Sequence, residues 1–248
     1  MHSNYGSLAA TRQRSAARPF VFNTDHIKMH QRLPQPPPTR PQPPSRRDNP
    51  FATCWTKPGA LAFRFADGQD AQQLVNKLAA QNWWGAIVGP HGSGKSTLLE
   101  SLKPALIAAD RRIIAISLHD GQRRLPRTFY DAIAADGNTQ IILDGYEQLG
   151  WLERLRVARL CRRTRAGLLV TAHADTRIPT LIRLAPERLL IAQLVADLCA
   201  EVSTPIAPED VAASHACHGS NVREIFFDLY DRHERRRRAA RTERAATT

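Results

Sequence analysis

The chain has 248 residues with 35 Lys and Arg against 23 Asp and Glu, a net charge of +12, and is long enough for one substantial core plus appendages. Its four cysteines (Cys54, Cys161, Cys199, Cys217) are scattered with no CxxC pair, which argues against a disulfide scaffold and fits a reducing, cytoplasmic compartment. No apolar run reaches membrane-span length and the N-terminus lacks a hydrophobic signal core, so no membrane partner is expected.

The charge is unevenly placed. Residues 1–50 carry eight Lys/Arg against two acids, and residues 231–248 carry seven Arg against three, which leaves the middle, 51–230, at a net +2. Basic ends of this kind give salt-sensitive, non-specific attraction to a polyanion rather than a shaped nucleic-acid surface.

In chain order, the Arg/Ser-rich, acid-poor start has the composition of a transit peptide or, more simply, of a disordered arm. It leads into a Pro-rich, polyproline-type linker, QRLPQPPPTRPQPPSRRDNP, over 31–50. GALAFRF (59–65) predicts a short strand, and Asp67 or Asp70 can cap a helix running to Gln81. Strands are then predicted at 85–89, 111–118, 140–144, 166–173 and 180–184. Helices fall between or after them at 94–108, 126–135, 150–164 and 186–201. Continuous apolar strands alternating with helices specify an α/β fold with a parallel sheet covered on both faces. Two further helices, 208–216 and 220–238, form a small all-α appendage. His215, Cys217 and His218 lie close together, but nothing completes a zinc-type spacing.

GPHGSGKS (89–96) matches GxxxxGK[ST] between a buried strand and a helix. A loop that turns its N–H groups onto a phosphate needs residues without side chains, here Gly89, Gly92 and Gly94, with Pro90, His91 and Ser93 completing the wrap. The following helix start, with Ser96 and Thr97, presents unpaired N–H groups. In this pattern Lys95 reaches the β- and γ-phosphates and Ser96 meets Mg²⁺.

On this loop the chain resembles the P-loop NTPases over residues 51–230. IILDGYEQL (141–149) resembles the Walker B strand, which implies that Asp144 orients Mg²⁺. Its Asp-Gly-x-Glu order departs from the usual adjacent Asp-Glu pair and resembles the variant of NACHT-type NTPases, which implies Glu147 as the water-activating base. A strand unit between the loop helix and Asp144 is compatible with the additional-strand branch, where the sensor strand sits between the loop strand and the Walker B strand. AGLLVTAHAD (166–175) then offers Thr171 and His173 as γ-phosphate sensors. HGSNVREIFFDLYDRHE (218–234) is similar to the sensor-2 helix of AAA+ proteins, with Arg223 over the nucleotide. The resemblance implies domains at 51–205 (nucleotide-binding) and 206–238 (helical lid), between a disordered arm at 1–50 and a disordered tail at 239–248. It also implies ATP and Mg²⁺ as cofactors, ADP as product, homo-oligomer assembly, and an arginine finger among Arg177, Arg183 and Arg188.

Two other readings stay open. The arginines Arg159, Arg162, Arg163 and Arg165 suit a small-molecule or polynucleotide kinase, and RRRR (235–238) suits a non-hydrolysing adaptor with tails for a polyanionic partner. No LSGGQ-like signature follows the loop and no NKxD follows Asp144, which argues against an ABC ATPase and a small GTPase. The aromatics Phe51, Trp55, Phe63 and Phe65 either pack near an adenine or fill core.

Overall fold

The computed structural model describes residues 20–21, 45–46, 48–65, 68–133 and 137–246. Most of the predicted disordered arm, 1–50, lies outside the described residues. The elements are β1 (Phe20–Val21), α1 (Thr53–Thr56), α2 (Ala71–Ala80), β2 (Trp84–Val88), α3 (Lys95–Ala108), β3 (Arg112–Ser117), α4 (Arg127–Asp131), β4 (Thr139–Asp144), α5 (Trp151–Thr164), β5 (Gly167–Ala172), β6 (Thr180–Arg183), α6 (Arg188–Cys199), α7 (Pro208–His218) and α8 (Val222–Ala246).

All strands run parallel, in the order β1-β3-β4-β5-β2-β6. β5 therefore lies between β2 and β4, with Thr171 beside Ile87 of β2 and Val170 beside Leu143 of β4. Side chains alternate across the pleat and build two cores. On one face Ile141, Leu143, Leu168 and Val170 pack with Phe129, Val157 and Cys161. On the other, Ile87, Ile142 and Leu169 pack with Leu74 and Leu78 of α2 and with Leu98 and Leu102 of α3. Each fully buried aliphatic side chain contributes roughly 1.5–3 kcal/mol relative to exposure.

A third core is helical. Ile191, Val195 and Leu198 of α6 meet Val211 of α7 and Ile225, Phe226 and Leu229 of α8, with Phe51 inserted among them. Phe51 thus belongs to this bundle, and Trp55 packs against its edge, while Phe63 and Phe65 pair edge to face at 5.0 Å against the α2–α3 core. These aromatics serve packing.

Three boundaries differ from the sequence reading. Residues 59–65 form no strand, only an isolated Pro58–Leu61 bridge, because the two phenylalanines are turned into the α2–α3 core instead of pairing their backbone with a neighbour. The helix expected over 126–135 is α4, which ends at Asp131. α8 runs on to Ala246 and takes in most of the segment expected as a disordered tail. Its Ala and Arg content favours helix, and its arginines are anchored. Arg232 bonds Asp228 at 3.0 Å, Arg236 bonds Asp210 at 2.8 Å through Nη2, and Arg237 bonds Asp48 at 2.8 Å. The expected cap at Asp70 is present, accepting from the Gln73 N–H at 2.7 Å.

Asp210 also accepts from the Ala207 N–H at 2.8 Å, so it caps α7 while it ties α7 to α8. The hydrogen bond from Arg236, aided by Ala207 and opposed by partial burial, holds its carboxyl below the ordinary range. A lowered folded-state pKa stabilises the fold above the unfolded value, about 4, and that stabilisation is lost as pH falls through the folded value. Urea midpoints measured down from pH 5 should therefore decline less steeply for Asp210→Asn than for the wild type. Parallel declines would contradict this role.

Candidate functional site

β2 runs between β5 and the edge strand β6, and Gly89 to Gly94 turn the chain back into α3. The turn needs its glycines. A Cβ on Gly89 would lie 2.6 Å from the Leu184 carbonyl oxygen, and Gly92 (φ +68°) and Gly94 (φ +88°) occupy the left-handed region. Pro90 and His91 form the exposed lip, Gly89 and Ser93 are buried, and Ser96 and Thr97 are half-buried on the first turn of α3. The buried Ser93 Oγ has no hydrogen-bond partner among the described residues. Lys95 is only 8% exposed and donates to the carbonyls of Gly89 and Pro90, both at 2.7 Å. Burial pulls its pKa down. Glu147 and Asp144 oppose that, and Arg223 adds to it. Lys95 therefore senses the charges of Glu147, Asp144 and Arg223.

Because β5 lies between β2 and β4, Thr171 stands next to Asp144. Its hydroxyl donates to Asp144 Oδ1 at 2.6 Å and accepts from the Gly145 N–H at 2.8 Å. The Thr171 hydroxyl thus holds the end of β4.

The Asp-Gly-x-Glu order has a geometric reason. Gly145 (φ +84°) turns the chain sharply beneath the Leu118 carbonyl, where a Cβ would approach within 3.0 Å. The 3₁₀ turn Tyr146–Gln148 then buries Tyr146 and presents Glu147 toward β5. Arg154 of α5 fixes this turn, donating to the carbonyls of Glu147 (2.7 Å) and Leu149 (2.8 Å) and lying 5.1 Å over the Tyr146 ring. His173 Nε2 lies 3.1 Å from Glu147 Oε1, and the His173 ring lies 3.6 Å from that of His91, centroid to centroid. Burial first, and Lys95 and His91 after it, lower the His173 pKa against the pull of Glu147. A neutral imidazole can donate its Nε2–H to the carboxylate. The other oxygen, Glu147 Oε2, is buried with no partner among the described residues.

The sequence reading overlooked Asn221. A Cβ on Gly92 would meet Asn221 Oδ1 at 1.8 Å, and that oxygen accepts from the Glu224 N–H at 3.3 Å at the start of α8. The space left by one glycine is filled by the cap of the helix that carries Arg223. The cap spacing Asn221 to Glu224 was the available signal.

Of the remaining candidates, Arg183 lies on β6 beside Val88, next to the loop. Arg183 pairs with Asp175, while Arg177 and Arg188 are exposed. Arg159, Arg162, Arg163 and Arg165 lie on or just after α5, with Arg162 over the Trp84 ring at 5.2 Å. Phe63 approaches the loop, 3.7 Å from a Cβ placed on Gly94. Among the described residues no three His, Cys, Asp or Glu side chains cluster as a metal site.

AMPPCP-bound DnaA from Aquifex aeolicus is similar over 71% of this chain and 68% of its own, at 14% identity and a TM-score of 0.45. NtrX from Brucella abortus in complex with ATP is similar over 68% of this chain and 50% of its own, at 10% identity and 0.46. PCH-2 from C. elegans is similar over 74% and 72%, at 11% identity and 0.38. No protein-family model and no curated protein matches the chain. At these scores the likeness is remote, and the chemistry of the corner rests on its own residues.

Gly92→Ala places a methyl group where Asn221 Oδ1 sits, at a backbone angle side chains rarely adopt. It should destabilise the protein by about 1–3 kcal/mol and speed amide exchange at the start of α8. Unchanged exchange there would contradict the loop–helix contact.

Proposed function

We propose that the protein is a Mg²⁺-dependent ATPase of the additional-strand P-loop class, resembling AAA+ and NACHT-type enzymes. The observation that carries this reading is the meeting of Lys95, Asp144 and the His173–Glu147 pair at the ends of three neighbouring strands, beside a glycine loop that opens a helix.

The residues present fit the ligand. Gly89, Gly92 and Gly94 leave room for backbone N–H groups to approach phosphate oxygens, and the start of α3 adds its unpaired N–H groups and positive dipole end. The Lys95 ammonium has three donors, and the two now spent on loop carbonyls can turn to the β- and γ-phosphates. Ser96 and Asp144 would hold Mg²⁺, which when bound neutralises charge on the phosphate oxygens. Thr171 fixes the rotamer of Asp144 and so positions it.

Glu147 is the candidate base. With Oε1 taken by His173, Oε2 is the oxygen left to accept a proton from a water aligned with the γ-phosphate. His173 therefore orients Glu147, a different role from direct phosphate sensing. Arg223, on the first turn of α8, would bring positive charge to the γ-phosphate from the helical side. The Gly92–Asn221 contact would link the state of the loop to the position of α8, which gives a route from hydrolysis to a switch.

The test is Mg²⁺-dependent ATP hydrolysis by the purified protein. Glu147→Gln should lower turnover by about 10²–10⁴-fold while ATP binding is retained, and Lys95→Ala should lose binding. Wild-type turnover in Glu147→Gln would remove Glu147 as the base, and absence of ATP binding by the wild type would remove the reading.

A further inference from the structure

The net +2 of the middle segment conceals a strongly basic surface on α5. At 100° per residue, positions 151, 152, 155, 156, 159, 162 and 163 fall within an arc of about 140°. That arc holds three large apolar side chains, Trp151 (70% exposed), Leu152 (63%) and Leu155 (38%), and four arginines. It holds no acid. Glu153, the helix's only carboxylate, points inward and is bonded to Tyr130, the Leu125 N–H and Arg156. The Gly150 N–H donates to the Arg123 carbonyl at 3.1 Å, which brings the exposed Arg123 and Arg124 up to the Trp151 end. The face thus has an apolar centre with arginines on both sides. Among the described residues Arg123, Arg124, Arg159 and Arg163 make no ion pair.

The occupant follows from shape and charge. The surface is the convex side of a helix, so it does not enclose a small ligand. A second copy presenting the same face would set arginines against arginines. Duplex DNA would use the arginines but has no use for two leucines, and a single strand needs stacking rings where only one is present. An anionic lipid surface uses every member. Tryptophan and leucine enter the boundary between headgroups and acyl chains, and arginines meet the headgroups. No helix among the described residues is long and apolar enough to cross a membrane, and surface contact requires none.

We propose that the outer face of α5 docks on anionic lipid bilayers, with Trp151, Leu152 and Leu155 inserted and Arg123, Arg124, Arg159 and Arg163 on the headgroups. The inference is independent of the nucleotide reading. α5 is held to the sheet by Val157, Cys161 and Thr164 on its opposite face, so the outer side chains can engage lipid without unfolding the helix.

The experiment is sedimentation of the full chain, without nucleotide, with vesicles of phosphatidylcholine alone or with about one-third phosphatidylserine. The protein should sediment with the anionic vesicles only. Arg159→Glu with Arg163→Glu should weaken binding at least about tenfold, at roughly fivefold per arginine near the surface. Trp151→Ser with Leu152→Ser should weaken it several-fold at unchanged charge. Tryptophan emission should shift to the blue on anionic vesicles in the wild type and not in Trp151→Phe, which keeps the other three tryptophans. All sites are exposed, and circular dichroism checks that the variants fold. Binding left intact by both double variants would assign it to the basic ends and overturn the proposal. Binding abolished by charge reversal but indifferent to Trp151 and Leu152, and competed by duplex DNA, would overturn it in favour of a polyanion site.

Discussion

The Thr171 hydroxyl closes two hydrogen bonds on the neighbouring strand, one to Asp144 and one from Gly145. The rest of the site hangs on this link. It exists because β5 is inserted between β2 and β4, which brings a polar side chain at the end of β5 beside the end of β4. It holds Asp144 in one rotamer and starts the turn at Gly145. That turn carries Glu147 to His173, and the His173 ring in turn lies tilted against that of His91 on the glycine loop. The contacts run from the end of β4 through Thr171, Glu147 and His173 to the glycine loop, from a buried Thr171 to an exposed His91. Partly buried polar networks of this kind specify geometry because an unmade bond costs more than a made one contributes.

The second constraint is mechanical. α8 is clamped at three points: its start at Gly92 through Asn221, its middle at Asp210 through Arg236, and beyond that at Asp48 through Arg237. α8 is thereby fixed at one end to the glycine loop and along its length to α7. The apolar seam of Ile225, Phe226 and Leu229 packs it into the core that α6 and α7 share.

Much of this was legible in the sequence, for physical reasons. The loop is encoded by spacing alone, because only glycine fits the positive φ angles and close approaches. The strands are encoded by unbroken apolar runs that suit burial on both faces. What escaped is what depends on neighbours distant in the chain. Thr171 and His173 were legible as polar groups at a strand end, but their partners depend on strand order. Residues 59–65 have strand-forming side chains and no adjacent strand. The arginines after 231 read as a solvated terminus, yet their partners Asp48 and Asp210 lie up to 189 residues away in sequence. The arginines of α5 were legible as a cluster, but the exposed Trp151, Leu152 and Leu155 beside them depend on which face of the helix meets the sheet.

The most direct measurement is the shift in melting temperature of the full chain on adding ATP with Mg²⁺, beside ATP with chelator and beside Lys95→Ala. Ligand that binds only the native state stabilises by RT ln(1 + [L]/Kd), about 2.7 kcal/mol at a hundredfold excess over Kd. The account predicts a rise of several degrees with Mg²⁺ and ATP, diminished without the metal and absent in Lys95→Ala. No rise in the wild type at millimolar ATP, or an equal rise in Lys95→Ala, would contradict the assignment of the glycine corner as a nucleotide site.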